Sequence, residues 1–195
     1  MRRLGMWCLM APLFFAGCIV SGVSIMDQSE VPKNDMGYLY GRFRMENGGN
    51  VSLQLVLTNV KKGLQYRIPL ERSSFFGEAK GDIYAFPLEP GEYRLTRIAA
   101  VISSNGRIHE QLSHFTDECY SRNIVVEAGS KQYLADFTGT VERKIFTASW
   151  GLSRITDNFE DTTNKLDALY EGLRDLPARR LFDCAPSAVG SSGAG

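Results

Sequence analysis

Residues 37–58 read GYLYGRFRMENGGNVSLQLVLT, and their alternation decides the fold class. Leu39, Gly41, Phe43 and Met45 alternate with Tyr38, Tyr40, Arg42 and Arg44. After Asn47-Gly48-Gly49-Asn50, Val51, Leu53, Leu55 and Leu57 resume the period of two against Ser52, Gln54, Val56 and Thr58. Successive side chains on a strand point to opposite faces, so each run carries one apolar face. Asn and Gly tolerate the positive φ of tight turns. Two alternating runs about a four-residue break therefore predict a β-hairpin with one buried face.

The same period continues along the chain. Leu64, Tyr66 and Ile68 form one short run, and Tyr84, Phe86 and Leu88 another. Glu89-Pro90-Gly91-Glu92 predicts a type II turn with Gly91 at positive φ, after which Tyr93 and Leu95 open a further strand. Ile124 to Val126, Tyr133 to Val141 and Lys144 to Trp150 complete a set of about eight strands, at intervals that suit a sandwich or barrel. The expectation is a mainly β protein, an antiparallel β-sandwich over residues 37–151.

Two stretches resemble a known module. Phe86-Pro-Leu-Glu-Pro-Gly-Glu-Tyr-Arg-Leu95 is similar to a strand entry of transthyretin-like and carboxypeptidase-regulatory-like β-sandwiches. Val125-Val-Glu-Ala-Gly-Ser-Lys-Gln-Tyr133 is similar to a later strand pair of small lipoproteins that carry this module. The resemblance covers roughly residues 37–142. It implies a sandwich fold and a cell-envelope setting, and it brings no active site.

Residues 157–175 switch to a helical period. Phe159, Thr163, Leu166, Tyr170 and Leu173 form one stripe, Asp157 with Glu160 reads as an N-cap and its capping-box partner, and Pro177 ends the run. An amphipathic helix cannot bury its stripe alone. Residues 152–184 are expected to pack on the sandwich as a C-terminal helix and extension; a partner helix or a membrane surface is the alternative. The mixed polar face of Asp161, Lys165, Asp167, Glu171 and Arg174 disfavours the membrane. Residues 185–195, small and flexible in composition, read as a disordered tail.

The chain opens MRRLGMWCLMAPLFFAGC. Arg2 and Arg3 precede an apolar run from Leu4 to Phe15, the layout of an export signal and too short to span a bilayer comfortably. Ala16-Gly17-Cys18 resembles the lipobox of bacterial lipoproteins. That resemblance implies cleavage of residues 1–17 as a signal peptide and lipidation of Cys18. Ile rather than Asp after that cysteine implies, in diderm bacteria, the outer membrane on its periplasmic side. Residues 18–36 then read as a lipidated tether, with a flexible reach of roughly 20–25 Å.

Composition narrows the partners. Lys plus Arg and Asp plus Glu both number 22. Loss of Arg2 and Arg3 with the signal leaves 20 basic against 22 acidic residues, a balance of −2. No basic stripe for nucleic acid and no polybasic run for membranes occurs in the mature sequence. The partners expected are the membrane, through the lipid, and an envelope protein or glycan.

The chemistry-bearing residues are few. Cys8 lies in the signal and Cys18 at the lipid site, which leaves Cys119 and Cys184. An even pair in an oxidising compartment favours a disulfide, with two free buried thiols as the alternative. Without a C-x-x-C pair, no zinc site is expected. His109 and His114 lie five apart, one more than the four that puts two imidazoles on one helical face, so the segment reads as a polar loop or short helix. No G-x-S-x-G, P-loop or dinucleotide fingerprint is present, and no cofactor is expected. Asp117-Glu118 reads as a solvated loop, and Asp157, Glu160 and Asp161 suit the start of a helix.

Arg72-Ser73-Ser74-Phe75-Phe76-Gly77 carries two adjacent aromatics. Both rings exposed would anchor a glycan or peptide; one ring folded over the core is the alternative. Together these features describe a lipid-anchored, non-catalytic interaction or structural module. The alternatives are a glycan- or peptide-binding sandwich using Phe75 and Phe76, and an envelope hydrolase built on His109 and His114.

Overall fold

The alternating runs separate into two sheets. The computed structural model describes residues 20–22, 24–47, 49–70, 82–104, 106–143 and 148–184. Its strands are β1 (Val20–Gly22), β2 (Gly37–Glu46), β3 (Val51–Asn59), β4 (Gln65–Pro69), β5 (Ile83–Leu88), β6 (Gly91–Ser104), β7 (Arg107–His114), β8 (Asn123–Val126), β9 (Lys131–Arg143), β10 (Ala148–Thr156) and β11 (Ala178–Arg180). The first sheet has the order β1-β4-β3-β6-β7, with β8 also paired to β6. The second has the order β10-β9-β2-β5, with β11 also on β9. The molecule is a β-sandwich carrying one C-terminal helix, α1 (Phe159–Leu169). Most pairs are antiparallel; β1 with β4, β2 with β9 and β11 with β9 are parallel.

The expected hairpin over residues 37–58 is not one. β2 pairs with β5 and β9, whereas β3 pairs with β4 and β6, so the 47–50 break carries the chain from one sheet to the other. The alternation itself holds. Leu39 and Phe43 of β2 face Leu53, Leu55 and Leu57 of β3 across one shared core, completed by Phe86, Leu95, Ile98, Phe137 and Leu152. Alternation reports which face is dry and is silent on which strand supplies the hydrogen bonds.

The predicted type II turn fails for a related reason. β5 lies in the second sheet and β6 in the first, so residues 89–92 also cross between sheets. Gly91 begins β6 opposite Val126, and positive φ falls instead at Asn47, Gly49, Gly63, Gly106 and Gly129. Two boundaries move as well. The 107–114 segment is a strand rather than a loop or short helix, because β6 supplies its ladder partners. β10 runs to Thr156, past the expected domain edge at residue 151.

β2 is buried on both faces, not one. Tyr38 and Tyr40 join Ile83, Ala85 and Tyr133 in a second cluster on the outer face of the second sheet, capped by Leu166, Tyr170 and Leu173. A bulge in β9 makes this face. Tyr40 pairs with Tyr133 but Arg42 with Asp136, so β9 carries one extra residue opposite Gly41. Leu134 and Ala135 therefore both join the inner core, and Tyr133 and Asp136 both reach the outer cluster or the helix above it.

Those outward residues of β9 dock the helix. Lys131, 2% exposed, donates to the Leu173 and Arg174 carbonyls at 3.1 and 3.0 Å and pairs with Asp167. These carbonyls close the 3₁₀ turn Glu171–Leu173 that follows α1. Asp136 accepts from Thr162 Oγ1 at 3.0 Å, from Asn158 Nδ2 at 2.9 Å and from the Tyr133 hydroxyl at 3.0 Å. The helix thus starts one residue later than predicted, with Asn158 at the N-cap. The Asn158 side chain is spent on Asp136, and Asp157 accepts the Phe159 N–H at 3.1 Å in its place.

Residues 24–36, expected as part of a free tether, lie against the same face. The Met26 N–H donates to the Ala85 carbonyl at 2.9 Å, its side chain is buried in the second cluster, and the Tyr38 hydroxyl donates to the Lys33 carbonyl. An exposed apolar face on the second sheet needs more cover than an eleven-residue helix supplies. Cys18, Phe75, Phe76 and the 185–195 tail lie outside the described residues.

Gly41 is required by the closeness of β2 to the β9 bulge. A Cβ there would sit 2.2 Å from the Ala135 carbonyl oxygen, which is backbone. Gly41→Ala is expected to lower the unfolding free energy by about 2 kcal/mol, read from the denaturant midpoint; an unchanged midpoint would show that β2 and β9 do not approach this closely.

Candidate functional site

The first sheet has its own irregularity, and it builds a groove. β6 pairs with β7 from Arg97 to Ser104 and with β8 from Gly91 to Arg94. Between these stretches it bulges: Val56 of β3 pairs with Arg97 but Leu57 with Leu95, leaving Thr96 as the extra residue. Tyr93, Leu95 and Ile98 face the core. Arg94, Thr96 and Arg97 are therefore all turned to the outer face, where a regular strand would place Arg94 and Arg97 on opposite sides.

The chain between β7 and β8 closes one wall. Phe115 N–H donates to the Thr96 carbonyl at 3.0 Å, and Asp117 turns the loop by accepting from the N–H groups of Cys119 and Tyr120. The result is an open groove of about 700 Å³ lined by the guanidinium groups of Arg94, Arg97 and Arg122 together with the His114 side chain. Thr58, Gln65, Thr96 and Ser121 add hydroxyl and amide groups. Thr58 and Thr96 hydroxyls bond each other at 2.9 Å. None of the described residues lining the groove is a carboxylate.

The three arginines differ in how they are held. Arg94 Nε donates to Asn123 Oδ1 at 2.8 Å, and Asn123 in turn donates to Glu92. Arg122 Nε donates to the Cys119 carbonyl, and its Nη2 lies 3.0 Å from Cys119 Sγ. Arg97, half-buried and paired through its backbone with Val56 and His114, makes no side-chain hydrogen bond or ion pair among the described residues. The sequence contains no polybasic run because the cluster is assembled from two separate segments. The legible signal was the pair Arg94 and Arg97 in one strand, and it stayed mute because the bulge was not visible.

The residues singled out from sequence fare differently. A disulfide joins Cys119 and Cys184, with Cα atoms 6.1 Å apart across 65 residues of sequence. It ties the loop after β7 to the segment after β11, where Phe182 packs on Tyr120 with ring centroids 5.2 Å apart. The alternative of two free buried thiols is thereby set aside. His109 and His114 stand on the exposed strand β7, five apart and so on opposite faces of the sheet, and they do not converge. Among the described residues no three His, Cys, Asp or Glu side chains gather as a metal site, and no helix is long and apolar enough to cross a membrane. Asp157 pairs with Arg180 at 3.2 Å, and Asp161 with Arg42 and Lys165. Those last hydrogen bonds, Lys165 first, hold the Asp161 carboxyl below its usual range.

The titratable groups most displaced are phenols with structural tasks. Burial pushes Tyr40 up to about 12, against the lowering effect of its bond with Thr163. Burial pushes Tyr120 up to about 12, helped by the charge of Asp117. Tyr133 is raised further, by burial first and by the Asp136 carboxylate after it.

No protein-family model matches the chain, and no curated protein does. Among solved structures, a leucine-rich repeat protein from Bacteroides thetaiotaomicron is similar at 10% identity and a TM-score of 0.32. The match covers 55% of this chain and 14% of that one, and it carries no argument about function.

Two measurements follow from this geometry. Replacing Cys119 and Cys184 together by Ser is expected to cost about 4 kcal/mol in denaturant unfolding, from the loop entropy released to the unfolded chain; a reductant-insensitive wild type would contradict the bridge. The phenols set an alkaline limit. Their folded values lie above the unfolded value of about 10, so their contribution is complete below that pH and is lost as pH rises through about 12. Ultraviolet titration should show Tyr40, Tyr120 and Tyr133, of the eight tyrosines, ionising only with unfolding.

Proposed function

We propose that this protein is a lipid-anchored module of the bacterial cell envelope that acts by binding and not by catalysis. The observation that carries the reading is the Cys119–Cys184 disulfide, in a chain whose first 18 residues have the layout of an export signal ending in Cys18. Disulfides of this kind belong to oxidising compartments, and the opening sequence supplies the route there. Lipid on Cys18 is the anchor, and the periplasmic side of the outer membrane is the location that Ile19 favours. The β-sandwich supports the resemblance to transthyretin-like modules only at the level of fold class. An envelope protein or glycan is the partner class of this reading.

The groove between β7 and β8 gives such a module a place to bind. The aromatic pair Phe75 and Phe76 keeps the glycan- or peptide-binding alternative open to a direct test by substitution.

The anchor is tested at its attachment point. Cys18→Ser is expected to abolish metabolic labelling with palmitate and to leave an unprocessed precursor. Unchanged labelling and mobility would remove the lipoprotein reading. A single acyl chain anchors only marginally, so stable attachment calls for more than one acyl group or a second membrane contact.

A further inference from the structure

We infer that the groove lined by Arg94, Arg97 and Arg122 binds the phosphate of an anionic phospholipid headgroup and holds the first sheet against the membrane that carries the anchor. The inference deepens the proposed function and rests on it for one point only, the attachment of lipid at Cys18.

The position comes from β1. Val20 pairs with Gln65, the first residue of β4, and Gln65 lines the groove. Two peptide units separate Cys18 from Val20, so the two Cα atoms stay within about 7 Å of each other. From Gln65 the ladder runs to Thr58 on β3 and Arg94 on β6, two strand spacings or about 10 Å. A lipid on Cys18 therefore enters the bilayer beside the end of the sheet where the arginines gather. With residues 24–36 docked on the second sheet, the chain does not supply the length for the domain to stand far off.

The chemistry is that of phosphate. Guanidinium groups recognise phosphate oxygens through paired, charge-assisted hydrogen bonds, and Arg97 has its donors uncommitted among the described residues. The Thr96 and Ser121 hydroxyls are given to the Val56 and Glu118 carbonyls, so the Gln65 amide is the neutral donor beside the arginines, and none of the described lining residues is a competing carboxylate. The same outer face carries the exposed apolar side chains Ile108 and Leu112 on β7, which suit the headgroup boundary. Among the described lining residues Phe115 is the one phenylalanine, tyrosine or tryptophan, and it is 8% exposed, so the groove lacks the exposed aromatic platform on which nucleic-acid bases stack. Lipid alone anchors weakly if singly acylated, and a basic headgroup site is the second signal that makes attachment stable.

The test uses the full purified chain in neutral detergent. It is titrated with short-chain phosphatidylglycerol, short-chain phosphatidylcholine and inorganic phosphate, with hydrogen exchange at residues 94–97 and 114–122 as the readout. Saturable protection by phosphatidylglycerol is expected, weaker or absent with phosphatidylcholine. Arg97→Gln and Arg94→Gln are each expected to weaken it on the order of tenfold, with near-ultraviolet circular dichroism unchanged. Cys18→Ser is expected to leave this affinity intact, so loss of acylation would remove the anchor without touching the groove. No protection, or protection that the arginine variants leave unaltered, would overturn the headgroup site. Inorganic phosphate binding as tightly as the lipid would overturn its assignment to a membrane.

Discussion

Both faces of the β2–β9 pair must be kept from water, and most of the architecture answers that demand. The inner face meets the first sheet through Leu39, Phe43 and Phe137. The outer face exposes Tyr38, Tyr40 and Tyr133, and a sandwich of two sheets has nothing left to cover them. The helix and residues 24–36 supply the third layer. Their docking turns on β9, whose bulge aims Asp136 at the helix start while Lys131 reaches its far end. A buried lysine and a buried carboxylate are costly to desolvate. Each is saturated here by hydrogen bonds that fix one helix register, so the polar pair specifies where the apolar cover sits.

A second bulge, in β6, does for the first sheet what the β9 bulge does for the second. Thr96 is an extra residue that brings Arg94 and Arg97 to one side and lets β6 exchange β7 for β8 as its neighbour. The gap left by that exchange is the groove. The disulfide lies at its wall, since Arg122, which lines the groove, also contacts Cys119 Sγ. Stability and binding geometry thus meet in the loop from Phe115 to Arg122. That loop holds a charged site on an otherwise ordinary sheet surface.

The histidines and the acidic pairs show why residue type alone is a poor guide to chemistry. His109 and His114 are close in sequence and stand on opposite faces of a strand. Asp117 and Asp157 are spent on turning the backbone, and Asp161 on two cations. The groups that do converge, Arg94, Arg97 and Arg122, are ordinary surface residues in the linear sequence.

Period and composition determined that the protein is mainly β with one C-terminal helix, which residues form its inner core, and that Cys119 and Cys184 were a pair to join. These properties depend on side-chain hydrophobicity at a fixed spacing, which each short segment carries by itself. The tertiary structure alone decided that β2 and β3 lie in different sheets, that Gly91 starts a strand, that residues 24–36 are docked, and that three arginines share a groove. Strand pairing is chosen among partners far apart in sequence, and a bulge reverses the facing of every residue beyond it. Neither leaves a mark in the local pattern, because the alternation of Leu39 to Leu57 reads the same whether its hydrogen bonds close a hairpin or run to strands many residues away.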